Sequence, residues 1–191
     1  MGKTVFKGGA MLSPVPAVMV SVGDKSLHNV FTVAWTGIMC TNPPVTYISV
    51  RPSRFSYDII EKTGEFVINL VPSNLVKECD FAGVKSGRDI NKFNELNLTP
   101  AKANKVNAPI IEECPVNIEC KVREKIKLGT HDCFIADILC VNVDDKLIDE
   151  NGKIKLWKAN LTAYSHGSYY ALGKHLGDFG FSVRKKKKRR K

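Results

Sequence analysis

The sequence predicts a mainly β protein with short helices, of the α+β class, folded as a small barrel. About six to eight strand-like segments occur along the chain, and the helical segments between them are short and irregularly placed. Regular alternation of strands and helices, which would indicate a doubly wound sheet, is absent. The loops G-x-G-x-x-G and G-x-x-x-x-G-K-[ST] are also absent, which argues against an ordinary dinucleotide or nucleotide-triphosphate fold.

Length and composition indicate one domain followed by a basic tail. A chain of 191 residues that is 43% hydrophobic can form a sizeable core, and we assign residues 1–183 to this domain. Residues 184–191 contribute eight of the 29 basic residues, so the remaining 21 nearly balance 19 acidic residues. The near-neutral body argues against nucleic acid as a partner. The tail is predicted to be a disordered solubilising segment, and the alternative is a salt-sensitive, sequence-blind binding of nucleic acid or of an acidic surface through this tail.

The chain has the features expected of a cytoplasmic protein without membrane contact. Its early apolar run, residues 17–22, is too short and too late for a secretory signal, and no stretch approaches the length of a membrane span. The six cysteines form no C-x-x-C pair and mostly occupy apolar patterns, so we expect free thiols rather than disulfides or a metal site.

The first elements are predicted to form a hairpin. Residues 17–22 and 30–35 are rich in β-branched and aromatic residues, and residues 23–26 supply a turn between them. Small neighbours surround Trp35, so its backbone is open to the approach of a flat molecule. Placement of Trp35 in the core is the alternative, because tryptophan is usually buried.

A strand, a short polar loop and a helix follow, and the function prediction rests on this stretch. Asn42-Pro43-Pro44 indicates a turn, and residues 45–50 are predicted as a buried strand because both of their faces are mostly apolar. Residues 57–62 are predicted as a helix that ends at Gly64. The loop at residues 51–56 brings two arginines and two serines to a helix start, which suits a phosphate. The alternative is that Ser53 caps the helix and both arginines are solvated.

The second half of the chain is predicted to alternate between long strands and a helical excursion. The predicted strands cover residues 65–71, 115–126 and 133–143, the helices cover 75–82 and 89–96, and an exposed irregular connection covers 99–109. The second helix is expected to begin at Asp89. A further hairpin edge is predicted around the tight-turn dipeptide Asn151-Gly152.

Several short motifs, in this order and spacing, resemble the flavin reductase-like family and most closely its flavoredoxin group. The motifs are Asn29-x-x-Thr32-x-Ala34-Trp35, Asn42-Pro43-Pro44, Ser49-x-Arg51-x-Ser53-x-x-Ser56-Tyr57, Gly64-Glu65-Phe66-Val67-Ile68-Asn69, Asn91-Lys92-Phe93, Gly129-Thr130-His131-Asp132 and Tyr169-Tyr170-x-Leu172-Gly173. The agreement extends from about residue 13 to residue 181, and agreement at several levels is itself evidence. The resemblance implies an FMN-binding split β-barrel of Greek-key type.

The resemblance also implies a set of FMN-binding residues. Arg51, Ser53, Arg54 and Ser56 would hold the phosphate, which agrees with the prediction made from the loop itself. The isoalloxazine ring would lie along the strand that ends near Trp35. The implied residues for the ring and its surroundings are Asn29, Thr32, Val33, Ala34, Trp35, Thr36, Val50 and Tyr57. Lys92 is a further candidate for a phosphate or ribityl contact, and a solvated helix lysine is its alternative.

By the same resemblance, His131 corresponds to a histidine near the site of hydride transfer and is the candidate catalytic residue. The pattern departs from the family here, because Thr130 replaces an acidic residue and Ala136 replaces a common glycine. Use of NADH or NADPH as electron donor is therefore less strongly implied than flavin binding. A turn histidine that only contacts its neighbours is the alternative.

The implied function is electron transfer through bound FMN. The donor would be a reduced nicotinamide or a protein, and the acceptor a redox partner protein or a small molecule. The alternative is an NAD(P)H-dependent reductase that treats free flavin as a substrate. Members of the family pair as homodimers, so we expect a dimer in which the aromatic segment at residues 164–170 lines or covers the flavin cleft.

Overall fold

The computed structural model of the chain describes residues 1–24 and 26–184, and it confirms a mainly β fold with short helices. The predicted tail therefore lies outside the described residues except for Arg184. The strands are β1 (Val15–Pro16), β2 (Val18–Gly23), β3 (His28–Val33), β4 (Thr36–Thr41), β5 (Pro44–Val50), β6 (Glu65–Leu70), β7 (Pro100–Ala101), β8 (Ile110–Ile111), β9 (Val116–Lys127), β10 (Asp132–Val143), β11 (Thr162–Ser165) and β12 (Ser168–Ala171). The α-helices are α1 (Phe55–Thr63), α2 (Val76–Val84) and α3 (Lys92–Glu95), and short 3₁₀ turns occupy Ser73–Leu75, Asp145–Leu147, Leu156–Ala159 and Phe181–Val183.

A seven-stranded antiparallel sheet forms the body of the fold. Its strand order is β3-β2-β6-β9-β10-β5-β4, so β3 and β4 are its two edges and the sheet does not close. A small sheet of β1, β11 and β12 and a pair formed by β7 and β8 complete the described part of the chain. The predicted hairpin of the first two long strands is confirmed by the antiparallel pairing of β2 with β3.

The main core lies between this sheet and α1. Phe66, Phe134, Ile48 and Ile60 are at most 1% exposed and belong to one cluster of buried side chains. Burial of apolar area at this level is the dominant favourable term in folding. As predicted, β5 is buried on both faces over most of its length, because Val45, Ile48 and Val50 pack on one side or the other.

Helix α1 begins two residues earlier than predicted and ends where predicted. Gly64 adopts the left-handed conformation with φ of 67°, and its N–H donates to the carbonyl of Ile60, which closes the helix. At the other end the N-cap residue is Arg54, without a side-chain cap, so the alternative role of Ser53 as helix cap is wrong. The earlier start places Ser56 inside the first turn, where it is buried.

Three predictions about the second half of the chain need correction. The helix expected at residues 89–96 is only the single turn α3, and Asn91 rather than Asp89 caps it by accepting from the N–H of Asn94. The connection at 99–109 is not exposed throughout: Ala108 is fully buried, and the backbone N–H of Asn104 donates to the buried carboxylate of Glu119 at 2.8 Å. Buried backbone donors need such partners, which explains the inward course.

The third correction concerns the hairpin edge around Asn151-Gly152. The tight turn is present, with Gly152 at a φ of 76°, but only one isolated bridge between Ile148 and Ile154 flanks it. The six cysteines are free thiols, and four of them are buried. Within the described residues, none of the helices combines the length and the apolar character that crossing a membrane requires.

Candidate functional site

Two walls enclose a cationic cavity, which we call the anion cavity. One wall is the predicted loop between β5 and α1, and the other is the loop between α2 and α3. The cavity measures about 260 Å³ and is lined by five cationic side chains, Arg51, Arg54, Lys85, Arg88 and Lys92, and by Asn29, Ser53, Ser56 and Ser86. In the described part of the chain, no aspartate or glutamate lines this cavity.

The cations bond to backbone carbonyls rather than to carboxylates. Arg54 Nη1 donates to the carbonyl of Gly83 at 2.8 Å, and Lys92 Nζ donates to that of Ala82 at 2.6 Å. Both carbonyls belong to the last turn of α2, which has the negative end of the helix dipole. Among the residues that the structure describes, none of the five cations forms a salt bridge. Their positive charges are thus left for a ligand.

Arg88 links the two walls, and the sequence prediction missed it. Its Nη1 donates to the carbonyl of Ser53 at 3.0 Å, and its guanidinium lies 5.6 Å from the centroid of the Phe55 ring. Lys85, Ser86 and Gly87 were missed as well. Residues 85–88 belong to no motif recognised in the sequence. The only sequence feature that pointed to this wall was the loop with two glycines, residues 83–87, between the two predicted helices.

Buried polar groups form the floor of the anion cavity. Asn29 and Ser56 are 3% and 1% exposed, and Asn29 Nδ2 donates to Ser56 Oγ at 2.8 Å. The Ser56 hydroxyl can therefore donate its own proton to a ligand oxygen. Gly87 lies directly over Asn29, because a Cβ atom built at this glycine would come within 2.3 Å of Asn29 Oδ1.

Lys92 is buried rather than solvated, with 3% of its surface exposed. Burial, and secondarily the nearby Arg54, lowers the pKa of Lys92 to about 8. Its solvated alternative is therefore wrong. The ammonium group lines the anion cavity and becomes neutral within the range of mildly alkaline pH.

A wider cavity, which we call the aromatic cleft, adjoins the anion cavity and shares Arg51 and Arg54 with it. The cleft measures about 450 Å³. Four consecutive predicted residues, Thr32 to Trp35, line it together with Val50 and His131. Trp35 is 48% exposed, so its alternative placement in the core is wrong. Five of the eight residues implied for the ring and its surroundings thus line one cavity, namely Thr32, Val33, Ala34, Trp35 and Val50.

His131 stacks beside Trp35 at the edge of the cleft. Their ring centroids are 6.3 Å apart and the planes differ by 13°. Burial, followed by the charges of Arg51 and Arg54, lowers the pKa of His131, so the imidazole is neutral at pH 7. Its Nε2 lies 3.4 Å from Arg51 Nε and its Nδ1 lies 3.0 Å from Thr130 Oγ1. A neutral ring that accepts at Nε2 donates from Nδ1, which fits both neighbours.

Another part of the cleft lining is a tyrosine of the aromatic segment at 164–170 and a carboxylate that the sequence prediction did not assign. Tyr169 donates its hydroxyl hydrogen to Asp80 Oδ1 at 3.1 Å, and burial raises the pKa of this tyrosine. Tyr164 also lines the cleft, and its ring packs edge-on against Tyr169 at 5.4 Å. The aromatic segment at 164–170 thus contributes to the cleft wall, as expected from its composition.

The structure brings the predicted site residues together with two exceptions, Tyr57 and Thr36, which line neither the anion cavity nor the aromatic cleft. Tyr57 is buried in the main core, where its hydroxyl donates to Asp132 and its ring packs on Phe134. Thr36 follows Trp35 but donates its hydroxyl hydrogen to the carbonyl of Tyr47. Tyr57 belongs to helix α1, which turns its side chain into the main core, and Thr36 begins β4, where its side chain lies against β5.

The family model that describes a flavin reductase like domain matches residues 10–173 of the chain. The chain belongs to the flavin reductase-like family. The resemblance inferred from the motifs is thereby confirmed, as are the split-barrel fold and the likeness to flavoredoxin.

Three known proteins illustrate the relationship of this flavin reductase-like protein to others. An uncharacterized protein of Archaeoglobus fulgidus is 34% identical over 72% of this chain and 77% of its own length. Flavoredoxin of Desulfovibrio vulgaris (Miyazaki F) is 30% identical and superposes with a TM-score of 0.88, covering 96% of this chain and 100% of its own. The FMN-binding protein from Thermus thermophilus, at 22% identity, shares the fold with a TM-score of 0.77 over 93% of this chain and 97% of its own.

These comparisons show a flavoredoxin-type, FMN-binding fold, and membership of the family indicates an oxidoreductase. The donor chemistry of the two cavities fits such a cofactor. A phosphate monoester needs cations and hydrogen-bond donors without competing carboxylates, and the anion cavity provides both. A flat ring needs an open, partly aromatic cleft next to them, and the aromatic cleft has this form.

The pH dependence of FMN binding follows from the state of Lys92. We expect the affinity for FMN to fall as the pH rises through about 8, because Lys92 is charged below this pKa and neutral above it. A phosphate monoester is already a dianion in this range, since its second pKa is about 6. Titrating flavin-free protein with FMN between pH 7 and 9, followed by flavin fluorescence, measures the dependence.

Two variants serve as controls for this prediction. Lys92→Met keeps the length of the side chain but removes the charge, and should weaken binding by about tenfold or more at pH 7. It should also abolish the decline near pH 8, whereas Lys92→Arg stays charged and should bind without this decline. A decline of unchanged size in Lys92→Met would contradict the assignment.

Proposed function

We propose that this protein is an FMN-holding oxidoreductase that carries electrons from a reduced nicotinamide or a protein donor to an acceptor. The observation that carries the proposal is that the anion cavity, without a carboxylate among its described lining residues, shares Arg51 and Arg54 with an aromatic cleft of about 450 Å³. Flavoredoxin and an FMN-binding protein share the fold, which supports flavin as the ligand. When bound, FMN would supply the capacity to take up and release one or two electrons.

We assign the phosphate of FMN to the anion cavity. Arg51 and Arg54 would contribute charge-assisted hydrogen bonds, and Ser53 and Ser56 hydroxyl donors. Asn29 would orient the Ser56 hydroxyl through the hydrogen bond that joins the two side chains. Lys92 would add a third positive charge from the opposite wall, next to Arg88. Burial of this floor keeps water from competing for the same donors.

We assign the ring system to the aromatic cleft. The backbone from Thr32 to Trp35, together with Val50, would face the ring, and the exposed part of Trp35 would contact its edge or face. Hydrogen-bond donors and nearby cations favour the negatively charged reduced form of a flavin. Arg51 and Arg54 line both cavities, so they would add to this effect from the side of the phosphate.

The choice between a resident cofactor and a flavin substrate depends on how firmly FMN is held. Buried Asn29, Ser56 and Lys92 favour a resident cofactor, because ligand groups that bond to them must be desolvated and leave slowly. A reductase of free flavin would instead show NAD(P)H oxidation that saturates with added flavin. Anaerobic addition of NADH and of NADPH to the purified protein, followed by the flavin absorption band, identifies the donor.

The proposal predicts that Arg51→Ala combined with Ser56→Ala weakens FMN retention by about a hundredfold, because two donors to the phosphate are lost. The absorption spectrum after gel filtration and a fluorescence titration with FMN measure the loss. Arg123→Ala is a suitable control. Arg123 of β9 forms a surface salt bridge with Asp137 of β10, and it lines neither the anion cavity nor the aromatic cleft. Unchanged retention in the double variant, or protein that stays colourless with added FMN, would end the proposal.

His131 is proposed to act in the transfer of hydride from a nicotinamide, because its neutral ring lies at the open edge of the cleft beside Trp35. We expect His131→Gln to lower kcat for NAD(P)H oxidation by about tenfold while FMN binds almost as well, since Gln can still accept from Arg51. Steady-state kinetics and FMN titration separate the two effects. If kcat equals that of the unaltered protein, His131 has no part in hydride transfer and only contacts its neighbours in the turn.

We also propose a homodimer that uses the edge strand β4. Ile38 and Met39 on this strand are 63% and 53% exposed, and an unpaired apolar edge invites pairing. Light scattering should give about twice the monomer mass of 21.2 kDa. Ile38→Lys should lower this mass, whereas Ile148→Lys, at an exposed isoleucine elsewhere, should not. A monomer in the unaltered protein would contradict the proposal.

A further inference from the structure

A third cavity adjoins the aromatic cleft and shares none of its described lining residues with the anion cavity. This apolar chamber, as we call it, measures about 550 Å³. Its walls are formed by Met11, Leu12, Val15, Trp35, Tyr47 and Tyr164. Cavities of this volume with aromatic and aliphatic walls are typical binding sites for small molecules. The function proposed above does not use it.

The chamber differs from the anion cavity in charge. Among the described residues, no lysine, arginine, aspartate or glutamate lines it, and the polar side chains that do are those of Ser13, Thr36, Tyr47, Tyr164 and His166. Transfer of a phosphate or carboxylate into a site without a counter-charge is costly. The chamber therefore disfavours flavin phosphates and nicotinamide nucleotides, and its chemistry selects an uncharged ligand.

The chamber is continuous with the aromatic cleft. Ala34, Trp35 and Tyr164 line both, so a ligand in the chamber would lie beside the cleft. The tyrosine hydroxyls add a polar feature to apolar walls. Among residues 1–24 and 26–184, neither Tyr47 nor Tyr164 has a hydrogen-bond partner for its hydroxyl, so each can donate to an acceptor on a ligand.

Local structure fixes the walls of the chamber. Val15 pairs with Tyr164 through the contact of β1 with β11, and Ser13 Oγ donates to Ser165 Oγ at 2.9 Å. His166 and Gly167 form the tight turn between β11 and β12 with φ values of 47° and 92°. The Ser13 contact holds the end of the segment at residues 10–13, which lines the chamber and which we call the roof, while Met11 and Leu12 within it are 67% and 89% exposed.

We propose that the apolar chamber binds an uncharged, planar aromatic molecule with a hydrogen-bond acceptor, such as an aryl ketone, against Trp35. Aromatic faces and an apolar volume favour a flat ring, and free tyrosine hydroxyls favour a carbonyl oxygen. If the function proposed above holds, on which this last step rests, the chamber places a small-molecule acceptor beside the flavin. A small molecule would then be the acceptor, rather than a partner protein.

The test compares two ligands of nearly the same shape, 2-acetylnaphthalene and 2-naphthoate. Equilibrium dialysis against the full chain, with and without added FMN, measures their binding. We expect saturable binding of 2-acetylnaphthalene and at least tenfold weaker binding of 2-naphthoate, whose carboxylate would lose its hydration without gaining a cation. In a Trp157→Phe background, Trp35 is the only tryptophan, and its fluorescence in flavin-free protein should change with 2-acetylnaphthalene at the same midpoint.

A matched pair of variants locates the binding. Met11→Ala combined with Leu12→Ala removes apolar area from the roof and should weaken 2-acetylnaphthalene about fivefold. Val5→Ala combined with Phe6→Ala alters exposed residues of the same segment outside the chamber and should leave binding unchanged. FMN retention is read separately from flavin absorption, so a colourless protein that binds 2-acetylnaphthalene overturns the proposed function but not the chamber.

Three results would overturn the proposal for the chamber. These are no saturable binding of 2-acetylnaphthalene, equal binding of 2-naphthoate, or the same affinity in the roof variant and its control. If light scattering shows that the roof variant lowers the oligomeric state while 2-acetylnaphthalene does not bind, the chamber is covered by a second copy of the chain instead.

Discussion

The candidate site depends on cationic side chains that are held by backbone carbonyls. Arg54 bonds to Gly83, Lys92 to Ala82 and Arg88 to Ser53, so three positive charges are fixed in place without being neutralised. Carboxylate partners would have fixed the same side chains more strongly. They would also have cancelled the positive electrostatic potential that attracts an anion. Bonds to the last turn of α2 also satisfy carbonyls that no helical N–H reaches.

The fold makes this arrangement possible by bringing two sequence-distant loops face to face. The loop after β5 approaches the loop after α2 because α1 packs on the main sheet and α2 packs on β3. The small Gly83 suits the close approach of α2 to β3, since a Cβ atom there would lie 3.1 Å from the side chain of Thr32 and one of the two would have to shift. The same strand β3 supplies Asn29 to the anion cavity and Thr32 to the aromatic cleft. One strand therefore sets the distance between the two cavities.

Much of this site could be predicted from the sequence, because its first wall is a local motif. The strand from Val45 to Val50, the arginine and serine loop and the glycine stop at Gly64 are all encoded by neighbours in the chain. The second wall could not be found in this way. Arg88 belongs to the site only through Phe55 and Ser53, which lie more than thirty residues earlier. Tyr57 was predicted in the site because it follows Ser56 in the motif, but it lies in the core. The geometry of helix α1 turns its side chain away from that of Ser56.

The close approach of Gly87 to Asn29 limits which side chains position 87 of the anion cavity can accept. Gly87 has no side chain, so Asn29 can lie directly against its backbone in the anion cavity. A Cβ atom at position 87 would overlap Asn29 Oδ1 at 2.3 Å. An alanine at position 87 would displace Asn29 from Ser56. It would also separate the loop after β5 from the loop after α2. A Gly87→Ala substitution would therefore change the shape of the proposed phosphate site without altering any charged residue.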